Sequence, residues 1–111
     1  MANMNVNFTS NAGQIKDAVQ LATERALETI GLIAEGYAKG LCPVDTGRLR
    51  NSISHAVDVQ DKAAIIGTNV EYARYVEFGT SRMSPRPYLA PAVQDHIAEY
   101  KQIWYDEIYS V

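Results

Sequence analysis

Cysteine occurs once, at position 42, so no intrachain disulfide can staple the fold and no cysteine cluster can hold a metal. Cys42, between Leu41 and Pro43, is expected to be a small buried hydrophobe. Histidine occurs only at positions 55 and 96, without the close ligand spacing of a zinc site. No apolar run approaches the ~20 residues that a membrane span requires, so no membrane partner is expected. The chain opens on a polar, asparagine-rich stretch from Met1 to Asn11, not on a basic-then-apolar leader, which makes the cytoplasm the expected compartment. Basic excess is lacking too: 10 Lys and Arg stand against 13 Asp and Glu, for a net charge of −3. A dedicated nucleic-acid binder usually has the opposite balance, needed to displace counterions from phosphate. Ser-His-Asp elbows, phosphate-cradling glycine loops and paired-carboxylate helix motifs are all missing, so neither an enzyme nor a cofactor is expected.

What is present fits one small domain. A chain of 111 residues hides roughly 65% of its surface on folding, enough for a single modest core. Ile15, Val19, Ala22, Ala26, Ile30, Ile33 and Tyr37 recur at steps of four and three, which predicts an amphipathic helix over about residues 12–39. Asn11 and Gln14 offer a capping pair, residues 1–11 are expected to be flexible, and Gly40 is placed to end the helix in a left-handed conformation before Pro43. Ile53, His55, Val57 and Val59 alternate with polar residues at period two, and Ala63 to Gly67 reads as the returning strand of a hairpin. Asn69 could cap a short helix through Glu71 to Glu77, although its β-branched and aromatic residues also suit a strand. Pro91 then opens a second amphipathic helix, with Val93, Ile97, Tyr100, Trp104 and Ile108 on one face to about residue 109. Grouped strands flanked by helices predict an α+β fold: a small antiparallel β-sheet packed with a long N-terminal helix and a C-terminal helix, in one domain over residues 12–111.

Asp45-Thr46-Gly47 is the tripeptide of aspartic proteases, but those enzymes set it between hydrophobic strands of an all-β framework. Here a long helix precedes it and Arg48-Leu49-Arg50 follows. The residues are better explained as a turn, with Gly47 supplying a permissive backbone before the strand. Tyr72, Tyr75 and Phe78 crowd beside Arg74 and Glu77, and Tyr88 follows the irregular Ser84-Pro85-Arg86-Pro87 loop. Tyr and Arg suit protein interfaces, which assigns Tyr72, Arg74 and the loop to contacts and Tyr75 and Phe78 to the core. Charge is also segregated. Residues 48–86 hold Arg48, Arg50, Lys62, Arg74, Arg82 and Arg86 against Asp58, Asp61, Glu71 and Glu77, whereas the flanking segments are acidic, a distribution suited to docking of unlike faces.

Taken together and in order, Pro43 to Ile53, Gly67 to Ala73, Val76 to Thr80 and Pro85 to Ala92 follow a joint pattern: P-x-D-T-G-x-L-R-x-S-I, then Y-A-x-x-x-E-F-G-T, then R-P-Y-L-x-P-A. This pattern resembles the tail-component or neck family of siphovirus-type phages and prophages, over about residues 35–95. The resemblance implies a structural virion protein without catalytic residues, acting in head–tail joining or tail completion as a homo-oligomeric ring. It implies other neck and tail proteins as partners, and DNA only as passing cargo. On that basis Arg48, Arg50, Tyr72, Arg74, Glu77, Arg82, Arg86 and Tyr88 are candidate contact residues, with Glu77 a candidate partner of Arg48 or Arg50. Asp45, Thr46, Gly47, Gly79, Pro85 and Pro87 would shape the loops, and Arg82 to Pro87 would form a flexible arm ordered by neighbours. A competing reading is a regulatory or DNA-associated adaptor that grips an acidic partner through its arginines; steeply salt-dependent DNA binding would favour it.

Overall fold

A 40-residue helix, α1 (Ala2–Leu41), organises the molecule. At a rise of 1.5 Å per residue it is about 60 Å long, and it sets the long axis of a 74 × 24 × 21 Å particle. The radius of gyration is 19.4 Å, against about 13 Å for a compact chain of this length. The structure, a computed structural model, describes residues 2–43 and 47–109, with side chains from residue 13 onward. Asp45 and Thr46 therefore lie outside the described residues.

The helix starts ten residues before the predicted position, because no proline interrupts residues 2–12. It ends at Leu41, and Gly40 stays inside it and keeps negative φ. The terminator is Pro43, which bars the residue before it from helical geometry. After the turn come α2 (Arg48–Ser52), the antiparallel strands β1 (Ser54–Asp58) and β2 (Ala63–Gly67), and α3 (Ala73–Phe78). A split C-terminal helix, α4 (Leu89–Gln94) and α5 (Ile97–Tyr109), completes the α+β fold that the sequence predicts. The strands pair in register from Ser54 opposite Gly67 to Asp58 opposite Ala63, and Lys62 closes the hairpin turn with φ 52°.

Two further details differ from the sequence reading. Helix α2 stands between Gly47 and the first strand, entered through the left-handed backbone of Gly47 (φ 73°) and closed where the Ser52 hydroxyl donates to the Leu49 carbonyl at 2.6 Å. The C-terminal helix is broken at Asp95-His96, because the Tyr100 hydroxyl donates to the Ala92 carbonyl, the acceptor that the His96 amide would use in a continuous helix. The His96 ring is instead stacked on Tyr37, centroids 3.6 Å apart and 3° from parallel.

The core explains why α1 packs as it does. Ala22 and Ala26 of the predicted stripe are fully buried, and Ile30, Ile33 and Tyr37 are half-buried on the side where Ile30 meets α5. Ile15 and Val19, at the outer end of the same stripe, are exposed. A second buried face runs through Thr23, Leu27, Gly31, Ala34 and Ala38. Gly31 on this face meets the ring of His55 in β1, which leaves no room for a Cβ: one would stand 2.7 Å from His55 Cδ2. Small side chains on both faces let the sheet and α5 approach the same helix closely. Beyond them Ala38 and Cys42 join Leu49, Ile53, Val70, Ala73, Tyr88 and Ala92 in one cluster around the C-terminal end of α1.

Candidate assembly surface

Helix α3 is six residues long, and its geometry decides which of its side chains face solvent. Ala73 and Glu77, four apart, point inward, so Arg74, Tyr75 and Phe78 share the outward face. Phe78 is 77% exposed. The Arg74 guanidinium lies over the Tyr75 ring at 5.0 Å and donates to its hydroxyl at 3.0 Å. Beside this face a groove of about 370 Å³ is lined by Gly67, Thr68, Ala73, Arg74, Phe78 and Leu89.

The following loop folds back onto α3. Gly79 leaves the helix with φ 75°, Thr80 and Met83 bond each other's backbones at 2.8 and 3.3 Å, and the Arg86 amide donates to the Val76 carbonyl at 2.8 Å. Residues 82–87, expected to be a flexible arm, are thus tied to the domain by backbone hydrogen bonds, with Arg82, Pro85, Arg86 and Pro87 exposed on its outside. Among the described residues neither Arg82 nor Arg86 has an ion-pair partner.

The other candidate contact residues divide. Arg48 is exposed, engages Glu71 with both terminal nitrogens at 3.3 and 3.4 Å, and lies over the Tyr72 ring at 5.6 Å. Arg50 is exposed and Tyr72 is half-buried against the core cluster. Glu77 and Tyr88 are interior. Glu77 is 6% exposed and accepts the amides of Tyr88, Leu89 and Ala90 at 3.0, 2.8 and 3.3 Å, so it caps α4 and does not pair with Arg48 or Arg50. Tyr88 is fully buried, its hydroxyl donating to the Ala73 carbonyl, and burial pushes its phenol up to about 12. The aromatic assignment is therefore inverted: Tyr88 fills the core, whereas Tyr75 and Phe78 face solvent. Helical spacing set by the buried Glu77 was the available signal, and it could be followed only by accepting a carboxylate in the interior.

A scan against family models matches residues 7–79 to the HK97-gp10-like proteins, described as a bacteriophage HK97-gp10 tail component. The chain belongs to this tail-component family. No curated protein and no solved structure matches it. The matched segment of this tail component covers α1 from residue 7 onward, α2, the hairpin and α3 and stops at Gly79, so the arginine-bearing loop and α4–α5 lie beyond it. A structural role in the phage tail, among other tail proteins, is what the family stands for. No helix among the described residues is long and apolar enough to cross a membrane.

One ionic cluster sits where the sheet meets α1. His55 lies between Glu28 and Glu35, with Nε2 at 2.5 Å from one carboxylate and Nδ1 at 3.1 Å from the other. Only the imidazolium can donate from both nitrogens, so the bonds to Glu28 and then Glu35 raise the His55 pKa. A group whose folded pKa is raised stabilises the fold fully below its unfolded value of about 6.5, and that contribution fades as pH rises through the folded pKa. The Glu35 carboxyl is held below its ordinary value, chiefly by His55, so its own contribution is lost only in acid. The melting temperature of the tail component should fall from about pH 6 toward pH 9 as this contribution is lost. His55→Gln should flatten that limb; an unchanged profile in the variant would assign the slope to other groups.

Proposed function

We propose that this tail component is a structural subunit acting in head–tail joining or tail completion, assembled in the host cytoplasm into an oligomeric ring and carried into the virion. The observation that supports this most is a patch that makes poor sense on an isolated chain: Phe78, 77% exposed, on the helix that carries exposed Arg74 and next in sequence to the loop that carries exposed Arg82 and Arg86. Exposed large apolar groups rimmed by polar ones mark interaction sites. A ring closes when one face of each subunit meets a different face of the next, and this chain has faces of opposite charge. The net charge of −3 also suits a lumen through which DNA passes without sticking.

Arg86→Glu tests the reading. The side chain is exposed and its backbone bond to Val76 survives substitution, so the domain should stay folded, with a circular dichroism spectrum and melting point near the parent's. Particles assembled with the variant should carry less of the protein, and infectious yield should fall at least about tenfold if the loop lies in a contact. The proposal fails if the unaltered protein is missing from purified particles, whatever the variant does.

A further inference from the structure

Opposite the cationic loop in character lies a stripe on α1 that, Glu28 apart, is unpartnered among the described residues. Asp17, Leu21, Glu24, Glu28 and Leu32 recur at steps of four and three and are all exposed, so they share one face of the helix. Leu21 is 55% exposed and Leu32 58%, large apolar side chains in water between carboxylates. Glu28 is engaged by His55, but among the described residues Asp17 and Glu24 have no ion-pair partner. The stripe is about 22 Å long.

We propose that the cationic aromatic knob of one copy, formed by Arg74, Tyr75, Phe78, Arg82 and Arg86, seats on the Asp17–Leu32 stripe of α1 in a second copy. This rests on the reading of the chain as a self-assembling subunit and names the two faces that meet. Each patch supplies what the other lacks: exposed apolar bulk on both, unpaired guanidinium groups on one and unpaired carboxylates on the other. Complementary charge of this kind fixes register and disfavours like faces, knob on knob or stripe on stripe. The faces also lie at different heights. Ala73, at the start of α3, clusters with Ala38 and Cys42, about 30 Å along the axis from Asp17, so a knob-to-stripe contact displaces each copy relative to the last. Such a contact is heterologous, with a free knob at one end and a free stripe at the other, so it propagates beyond a dimer and closes to a ring where the rotation between copies brings the last onto the first. A nucleic-acid partner for the knob is disfavoured because it has only three arginines and its centre is Phe78, in a chain of net negative charge.

The test uses the full chain, followed by light scattering on a sizing column and native mass measurement between about 50 and 500 mM salt. The unaltered protein should form species larger than a dimer that weaken as salt rises. A knob variant, Arg82→Glu with Arg86→Glu, and a stripe variant, Asp17→Lys with Glu24→Lys, should each associate at least about tenfold more weakly. Combining all four changes in one chain should restore association. Mixing the two variants as separate chains should also restore association beyond a dimer, because the intact knob of one meets the intact stripe of the other and the reversed knob meets the reversed stripe. A photocrosslinker at Phe78 should capture residues 17–32 of another copy. The inference is overturned if the unaltered chain stays monomeric at its highest soluble concentration, if it stops at a closed dimer, if the four changes do not restore association, or if the knob variant loses salt-dependent DNA binding instead. None of these outcomes bears on whether the protein is found in purified particles, which judges the tail role separately.

Discussion

Replacing Glu77 with alanine should lower the stability of the domain by about 3 kcal/mol, a large share of what a chain of this size holds in reserve. The carboxylate is buried and receives three consecutive amides at the start of α4, groups that have no acceptor within their own helix. A serine or aspartate N-cap accepts one such amide and contributes about 1 kcal/mol. Here the acceptor comes from α3, eleven to thirteen residues earlier in the chain, and satisfies three. Alanine would leave the amides of Tyr88 and Leu89 facing a small cavity, each an unsatisfied donor costing about 1–3 kcal/mol, with Ala90 near enough to water to recover part of the loss. Glu77→Gln keeps one acceptor oxygen and most of the volume, so about half the loss is expected. Urea unfolding of the two variants should rank parent above Gln above Ala, with a fall in melting temperature of about 15 °C for Ala. Equal and small losses in both would mean that packing around Tyr88, not the cap, holds α4 in place.

That cap also marks the limit of what periodicity can show. The long helix, the hairpin and the C-terminal helical segment were legible because each repeats apolar residues at its own period over enough positions to stand out. The second buried face of α1 was not, because Thr23, Gly31, Ala34 and Ala38 are too small to register as an apolar stripe, yet their smallness is what lets the sheet approach. The break at Asp95-His96 depends on Tyr100 reaching back to Ala92 and on Tyr37 stacking from α1, contacts with no local signature. In the candidate surface, Arg74, Arg82 and Arg86 were legible as exposed charge. Phe78 was not, since apolar bulk is ordinarily assigned to the interior and only the inward turn of Glu77 forces it outside. The acidic stripe was partly visible as the polar side of α1, but its two leucines gain meaning only once the sheet and α5 are seen to cover other faces.

Gly79→Ala should be the more damaging change at the surface itself, with an expected loss of about 4 kcal/mol. At φ 75° and ψ 177° the residue occupies a region essentially reserved for glycine, so any side chain there adds about 1–3 kcal/mol of backbone strain. Space is missing as well: a Cβ would stand 2.7 Å from Pro85 N, 2.8 Å from Met83 O and 2.9 Å from Pro85 Cδ. Two of these are backbone atoms and the third belongs to a rigid ring, so no rotamer change relieves the clash. The loop must lift from α3, at the expense of the Thr80–Met83 bridge and the Arg86 amide bond to Val76. Gly36 provides the control, since it lies within α1 with nothing inside 4 Å of its would-be Cβ. Gly36→Ala should therefore stabilise by about 0.5–1 kcal/mol through helix propensity. Urea unfolding that places the two alanine variants within about 1 kcal/mol of each other would refute the steric account. If the folded fraction of the Gly79 variant keeps its helices but no longer self-associates, the loop matters by holding Arg82 and Arg86 in fixed positions relative to α3. Charge alone, displayed on a loosened loop, would not be enough.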